Sequence, residues 1–194
     1  MIKHDKKIII ILLLEYFFAF GQGISIGYDL LGKHKATNIK FDDYYLDDLI
    51  SDVNVGISFR LTTVPDLTKT TNFGAGIEYH SDRSSYDFDG NFSFSSSWFT
   101  VYQTLDQHLY GFAQLGYGTF NADKTYQGEG FTVLPGGMYH GIGLGYELSY
   151  KLNIEGVYCT NKGRYHNHNN IIGLGTSTYD VRYERLNISF LAKF

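Results

Sequence analysis

The last nine residues, Leu186 to Phe194, read LNISFLAKF. Leu186, Ile188, Phe190, Ala192 and Phe194 are apolar at every second position, with Asn187, Ser189 and Lys193 among the residues between them. A period of two is the mark of a strand with one apolar and one polar face. Chain ends are usually polar and frayed. A terminal strand of this kind, ending on an aromatic ring, is built to be held in a sheet.

The same period recurs along the chain. Gly23 to Leu31 sets Ile24, Ile26, Tyr28 and Leu30 against Ser25, Gly27 and Asp29. Asp52 to Leu61, DVNVGISFRL, sets Val53, Val55, Ile57, Phe59 and Leu61 against Asn54, Gly56, Ser58 and Arg60. Further strands are predicted at Asn72 to His80, Leu109 to Phe120, Tyr139 to Leu148 and Leu152 to Tyr158. Phe94 to Leu105 is another, with its register ambiguous around Trp98 and Phe99. With Tyr179 to Phe194 the count is eight. Connections alternate in length. Those at 33–51, 81–91, 121–137 and 160–178 are long, whereas those at 62–71, 106–108 and 149–151 are moderate to short. Even strand number with short turns at one end and long loops at the other describes an up-and-down membrane barrel.

Composition agrees. Among 194 residues are 22 Gly, 2 Pro, 17 Tyr and 15 Phe, a mix that suits strands rather than a helical bundle. A single cysteine, Cys159, excludes an internal disulfide framework. The formal charge of -4 lacks the basic footprint of a nucleic-acid binder.

Residues 1–21 stand apart. Lys3, Lys6 and Lys7 precede the apolar run Ile8 to Phe20, which is interrupted by Glu15. Ala19-Phe20-Gly21 follows a small-x-small pattern, so residues 1–21 are read as a cleaved signal peptide with Gln22 as the mature start. The run is short of the roughly 20 residues a spanning helix needs. Residues 22–194 form the barrel, with 13 basic and 18 acidic residues once 1–21 are set aside. No later segment is apolar for long enough to form a membrane helix, so membrane insertion would require a closed barrel.

Two inversions of the barrel share this pattern. A secreted, lipocalin-like binder would turn its apolar faces inward, and a membrane barrel would turn them outward. The second faces are rich in Gly (Gly74, Gly76, Gly116, Gly118, Gly141, Gly143, Gly145) and poor in Lys. A soluble exterior needs charge, whereas a narrow eight-stranded interior is filled by side chains. The membrane inversion is therefore preferred. It places Asp29, Arg60, Glu78, His80, Glu147, Glu155 and Arg185 inside, where buried charges must pair, with Arg60 and Arg185 shared among the carboxylates. Tyr28, Phe59, Tyr79, Tyr117, Tyr146, Tyr158, Phe190 and Phe194 would supply the aromatic girdles.

The closing strand resembles the C-terminal recognition signal of bacterial outer-membrane proteins, in which a terminal Phe ends an alternating strand. With the signal peptide and the glycine-spaced strands, residues 23–194 resemble the small outer-membrane β-barrel family typified by OmpA and OmpX, in the barrel-only, OmpX-like form. That resemblance implies an eight-stranded antiparallel up-and-down transmembrane β-barrel in the outer membrane. It implies contact with outer-membrane lipid and lipopolysaccharide, and recognition of Leu186, Ile188, Phe190 and Phe194 by the assembly machinery. It also implies a monomer of little or no conductance, with no cofactor and no nucleic-acid partner.

Catalytic patterns are weak. Some barrels of this size are lipid A deacylases or acyltransferases, but adjacent His80 and Ser81 point to opposite faces, and a Ser–His pair must meet within hydrogen-bond reach. His166 and His168 have two-residue spacing without a nearby acid or Cys. Asp87-Phe88-Asp89-Gly90-Asn91 lacks the spacing and closing Glu of a Ca²⁺ loop. Asp42, Asp43, Asp47, Asp48 and Asp52 make the first loop acidic.

Overall fold

The computed structural model describes residues 22–41, 44–45, 47–85, 88–122, 132–168 and 176–194. The signal-peptide reading of residues 1–21 lies outside them. So do Asp42, Asp43, Asp87 and the side chains of Asp89, His166 and His168.

Eleven strands are described. They are β1 (Gln22–Phe41), β2 (Tyr44–Tyr45), β3 (Leu49–Asp52), β4 (Gly56–Thr63), β5 (Thr71–His80), β6 (Arg83–Ser85), β7 (Phe88–Thr104), β8 (Leu109–Ala122), β9 (Thr132–Ser149), β10 (Leu152–His168) and β11 (Thr176–Lys193). Eight of them, β1, β4, β5, β7, β8, β9, β10 and β11, pair with their neighbours in antiparallel order and close when β11 returns to β1. The closing ladder runs from Gly23 opposite Lys193 to Leu30 opposite Leu186 and continues upward from Lys33 opposite Glu184. LNISFLAKF is held because a closed barrel leaves no unpaired edge.

The exposed faces settle the inversion. Val55, Ile57 and Phe59 are 66, 37 and 48% exposed, and Ile142, Leu144 and Phe99 are also exposed. Ser25, Asp29, Arg60, Glu78, Thr100, Gln114, Glu155 and Arg185 are buried inside. Apolar outside and polar inside is incompatible with the lipocalin-like alternative, whose outer wall must face water. The chain is an all-β, membrane-spanning barrel. Tyr28, Tyr79, Tyr117 and Tyr158 ring the outer wall toward the long-loop end, and Phe73, Tyr146, Tyr150 and Phe194 ring it toward the short-turn end.

Sequence periodicity errs in three places. The 33–51 segment is largely strand rather than loop. There β1 continues to Phe41 with His34 and Ala36 buried, and β3 pairs back onto it. The strand predicted from Asp52 breaks at Asn54 and Val55, so Val53 turns inward at 9% exposure while Val55 faces out. Val53 N donates to Gly32 O at 2.9 Å, which anchors that turn. The other long connections are also shortened by strand, since β10 runs to His168 and β11 begins at Thr176. Two register shifts in β1 carry the non-glycine residues of positive φ, Leu31 (52°) and Asn38 (53°). Such bulges bend a strand and tighten its twist.

Inside, the barrel is filled in three layers from the short-turn end upward. Trp98, Tyr102, Tyr110, Phe112, Tyr139, Val157 and Cys159 form the first. A charged layer follows. Val53, Phe92, Phe94, Phe120, Val181 and Tyr183 form the third. The ambiguous register of β7 is resolved with Phe94, Ser96, Trp98, Thr100 and Tyr102 inward. Glycines face these rings. A Cβ on Gly145 would lie 2.1 Å from Cζ of Tyr110, and one on Gly76 would lie 2.7 Å from Cζ2 of Trp98. The alternating glycines are thus the recesses into which the aromatics lie.

Candidate functional site

Among the described residues, the middle layer holds a concentrated set of charged groups. Arg60 on β4 donates through Nε to Glu78 Oε1 on β5 at 2.7 Å. Cross-strand pairing sets these two residues directly opposite each other, so period two alone aims both side chains into the lumen. Arg185 on β11 donates through Nη2 to Glu78 Oε2 at 2.7 Å and through Nε to Asp29 Oδ1 at 3.1 Å. Its Nη1 donates to Asn161 Oδ1. His80 Nε2 lies 2.8 Å from Glu78 Oε2. Asn187 Nδ2 donates to Asp29 Oδ1 at 2.7 Å and to Ser58 Oγ at 2.8 Å.

A third arginine completes the layer. Arg83 on β6 is 2% exposed and donates through Nε to Asp29 Oδ2 at 3.1 Å. It also donates through Nη2 to Ile57 O at 2.9 Å, and its Nη1 donates to Ser81 O. Gly56 makes room for it, since a Cβ there would come within 2.2 Å of the guanidinium carbon. Arg83 sits in the connection 81–91, just past the strand that ends at His80, and no periodicity marks it as inward.

Glu155 belongs to the layer below. It accepts from Tyr110 OH at 2.7 Å, and Asn153 Nδ2 donates to the same hydroxyl at 3.0 Å. Glu147 does not join the interior network. Its carboxylate, 24% exposed, pairs with Lys193 Nζ at 2.9 Å at the short-turn rim. The alternation near Leu148 places Glu147 on the inward parity, but the strand ends there and the side chain reaches the mouth.

Asp29, Arg60, Glu78, Arg83 and Arg185 are each tied to at least one opposite charge from another strand. Charges buried together in this way are costly to separate. The layer cross-links β1, β4, β5, β6 and β11 across the lumen, with packed aromatic layers on both sides.

Above the apolar belt, His34 is buried against Phe92, with ring centroids 4.8 Å apart, and burial pushes it down to about 4. Among the described residues, no group of three or more His, Cys, Asp or Glu is arranged to hold a metal ion. His80 faces the lumen, and Ser81 Oγ accepts from Arg83 Nη1 at 2.9 Å and from Ile57 N at 3.3 Å.

These features define a class: a transmembrane β-barrel with an apolar outer belt and a lumen packed with polar and aromatic side chains. Comparison with solved structures places that fold among outer-membrane barrels. The outer membrane protein OprG of Pseudomonas aeruginosa aligns over 90% of this chain and 96% of its own, with a TM-score of 0.50 and 14% identity. Ail of Yersinia pestis aligns over 90% and 99% (TM-score 0.48, 15% identity), and Neisserial surface protein A over 88% and 97% (TM-score 0.48, 14% identity). No protein-family model and no curated protein matches the sequence.

Proposed function

We propose that this chain is an integral outer-membrane protein that acts through its outer surface and loop end, with no enzymatic centre and no open pore. One observation carries the reading: the lumen inside the apolar belt is crossed by a salt-bridged layer packed between two aromatic layers. In this reading residues 1–21 direct export and are removed before Gln22. The barrel is a monomer in contact with outer-membrane lipid and lipopolysaccharide. Leu186, Ile188 and Phe190 lie on the outward side of β11 and Phe194 follows its last residue, with Phe190 51% and Phe194 71% exposed, and the assembly machinery reads these side chains before insertion. A lipid A hydrolase would need Ser and His to converge on the lipid-facing wall. The inward His80 and the arginine-bound Ser81 do not supply that arrangement.

Cell fractionation with and without boiling in SDS tests the reading. The protein should sediment with outer membranes, migrate faster unboiled than boiled, and start at Gln22 by mass. In planar bilayers it should give no sustained conductance steps. A soluble periplasmic protein with no heat shift would overturn the barrel reading, and steady porin-sized steps would overturn the closed lumen.

A further inference from the structure

The outer wall changes character abruptly on one side of the barrel. Along β9, β10, β11 and β1 the last apolar row contains Ile142, Tyr158, Leu186 and Leu30. The next outward row is Thr160, Glu184 and Lys33, and the row above it is Lys162, Arg182 and Lys35. Arg164 and Asp180 follow. Lys162 is four residues beyond Tyr158, which is roughly 13 Å along the strand and about 10 Å in height at the usual tilt. That is the depth of the polar headgroups beside a hydrocarbon core.

Lys35, Lys162, Arg164 and Arg182 line a groove of about 680 Å³, set against Asp48 and Asp180. Glu184 organises its base, since its carboxylate holds Lys35 Nζ at 2.8 Å and Arg182 Nε at 2.7 Å. Tyr158 OH donates to the same carboxylate at 3.2 Å. Arg164 Nε donates to Asp180 Oδ1 at 2.7 Å. Lys162, among the described residues, has no carboxylate within ion-pairing distance. Gly137 keeps the groove open beside it, because a Cβ there would come 2.9 Å from Lys162 Cβ. Among the described residues the opposite wall has no counterpart. On β4, β5, β7 and β8 the described cations are Arg60 alone, which faces the lumen, and Arg83 beside them is buried too.

We infer that this groove binds the phosphate of an outer-leaflet lipid headgroup, with the acyl chains running down the apolar wall below Tyr158 and Leu186. Clustered Lys and Arg at a membrane surface attract anionic lipid, and a guanidinium matches phosphate geometry. Lys162 and Arg182 of the groove stand two outward rows above Tyr158 and Leu186 on the same strands, so headgroup and acyl chains of one lipid would meet the groove and the belt in turn. The inference rests on the outer-membrane reading above and deepens it.

The test uses the full mature chain in phosphatidylcholine nanodiscs doped with bisphosphorylated lipid A or with its dephosphorylated form. Retained lipid is counted by native mass spectrometry. The wild type should retain the phosphorylated form roughly tenfold better. Lys162→Gln with Arg164→Gln should abolish that preference while the barrel still shifts on heating. Lys162→Gln, which removes a cation that pairs with none of the described carboxylates, should weaken retention on its own. Equal retention of the two lipids by the wild type, or an unchanged preference in the variants, overturns the site and leaves the barrel standing. Displacement by millimolar inorganic phosphate would overturn the headgroup assignment in favour of a soluble anion. A wild type with no heat shift would overturn the barrel reading, and the site with it.

Discussion

Arg185 Nη2 lies 2.7 Å from Glu78 Oε2, although the two residues stand on β11 and β5, separated by two strands on the near side of the barrel. The bond crosses the lumen, and both side chains are fully buried. Glu78 also accepts from Arg60 on its other oxygen. One carboxylate therefore holds two guanidinium groups in place.

Glu78→Gln keeps the shape and removes the charge that both arginines face. Breaking a buried pair leaves uncompensated charge and costs about 3–5 kcal/mol. The variant should lose its heat-modifiable band at markedly lower temperature than the wild type. Glu147→Gln, at the partly exposed rim pair with Lys193, should shift it little, by about 0–1 kcal/mol.

The glycine recesses make a paired prediction. Gly145→Ala drives a Cβ into the Tyr110 ring and should displace the hydroxyl that donates to Glu155. Overpacking of this kind costs about 1–3 kcal/mol. At Gly111 the nearest atoms to a new Cβ are 3.7 Å away, an ordinary contact. Gly111→Ala should be close to neutral in urea unfolding from lipid. Equal losses in the two variants would contradict the recess reading.

Depth along the outer wall predicts a gradient. Leu144, 57% exposed in the middle of the apolar wall, should tolerate arginine badly, at about 2–4 kcal/mol. Leu148 is similarly exposed, at 52%, but sits beside the short turn. Leu148→Arg should cost about 0–1 kcal/mol. Unfolding titrations in lipid vesicles compare the two directly.

His34 supplies a pH dependence. Burial pushes it from 6.5 down to about 4, so the folded barrel disfavours the imidazolium. Above pH 6.5 both folded and unfolded states carry a neutral ring. As pH falls from 6.5 toward 4 the unfolded chain takes up a proton that the folded one resists, and stability falls by up to about 3 kcal/mol. His34→Phe should flatten that part of the stability profile between pH 7 and 4. An unchanged slope would show that His34 does not titrate as its burial implies.

The pairing of Arg60 with Glu78 was legible in the sequence, because each lies on the polar parity of a clean period-two run and their strands are neighbours. The same rule placed Asp29, Glu155 and Arg185 inside. Arg83 was not legible, since β6 is a three-residue strand whose inward turn depends on Gly56 and Asp29 across the wall. The outer basic groove escaped for a related reason. Lys35, Lys162 and Arg182 lie far apart in the chain, and register alone brings them onto adjacent strands.

By itself, then, the sequence determined the strands of the belt and, β7 apart, which of their faces is apolar, because alternation is a local property of pleated backbone. The excess of glycine and the shortage of lysine on the second faces also determined the inversion. Tertiary structure alone decided the rest. It turned Val53 inward where β3 gives way to β4, carried β1 past Leu31, and sent Phe92, Phe94, Phe120 and Tyr110 into the lumen among the polar groups. A binary pattern assigns such rings to lipid. In the closed barrel they face inward because glycines on neighbouring strands leave recesses for them, as Gly145 does for Tyr110 and Gly163 for Phe120.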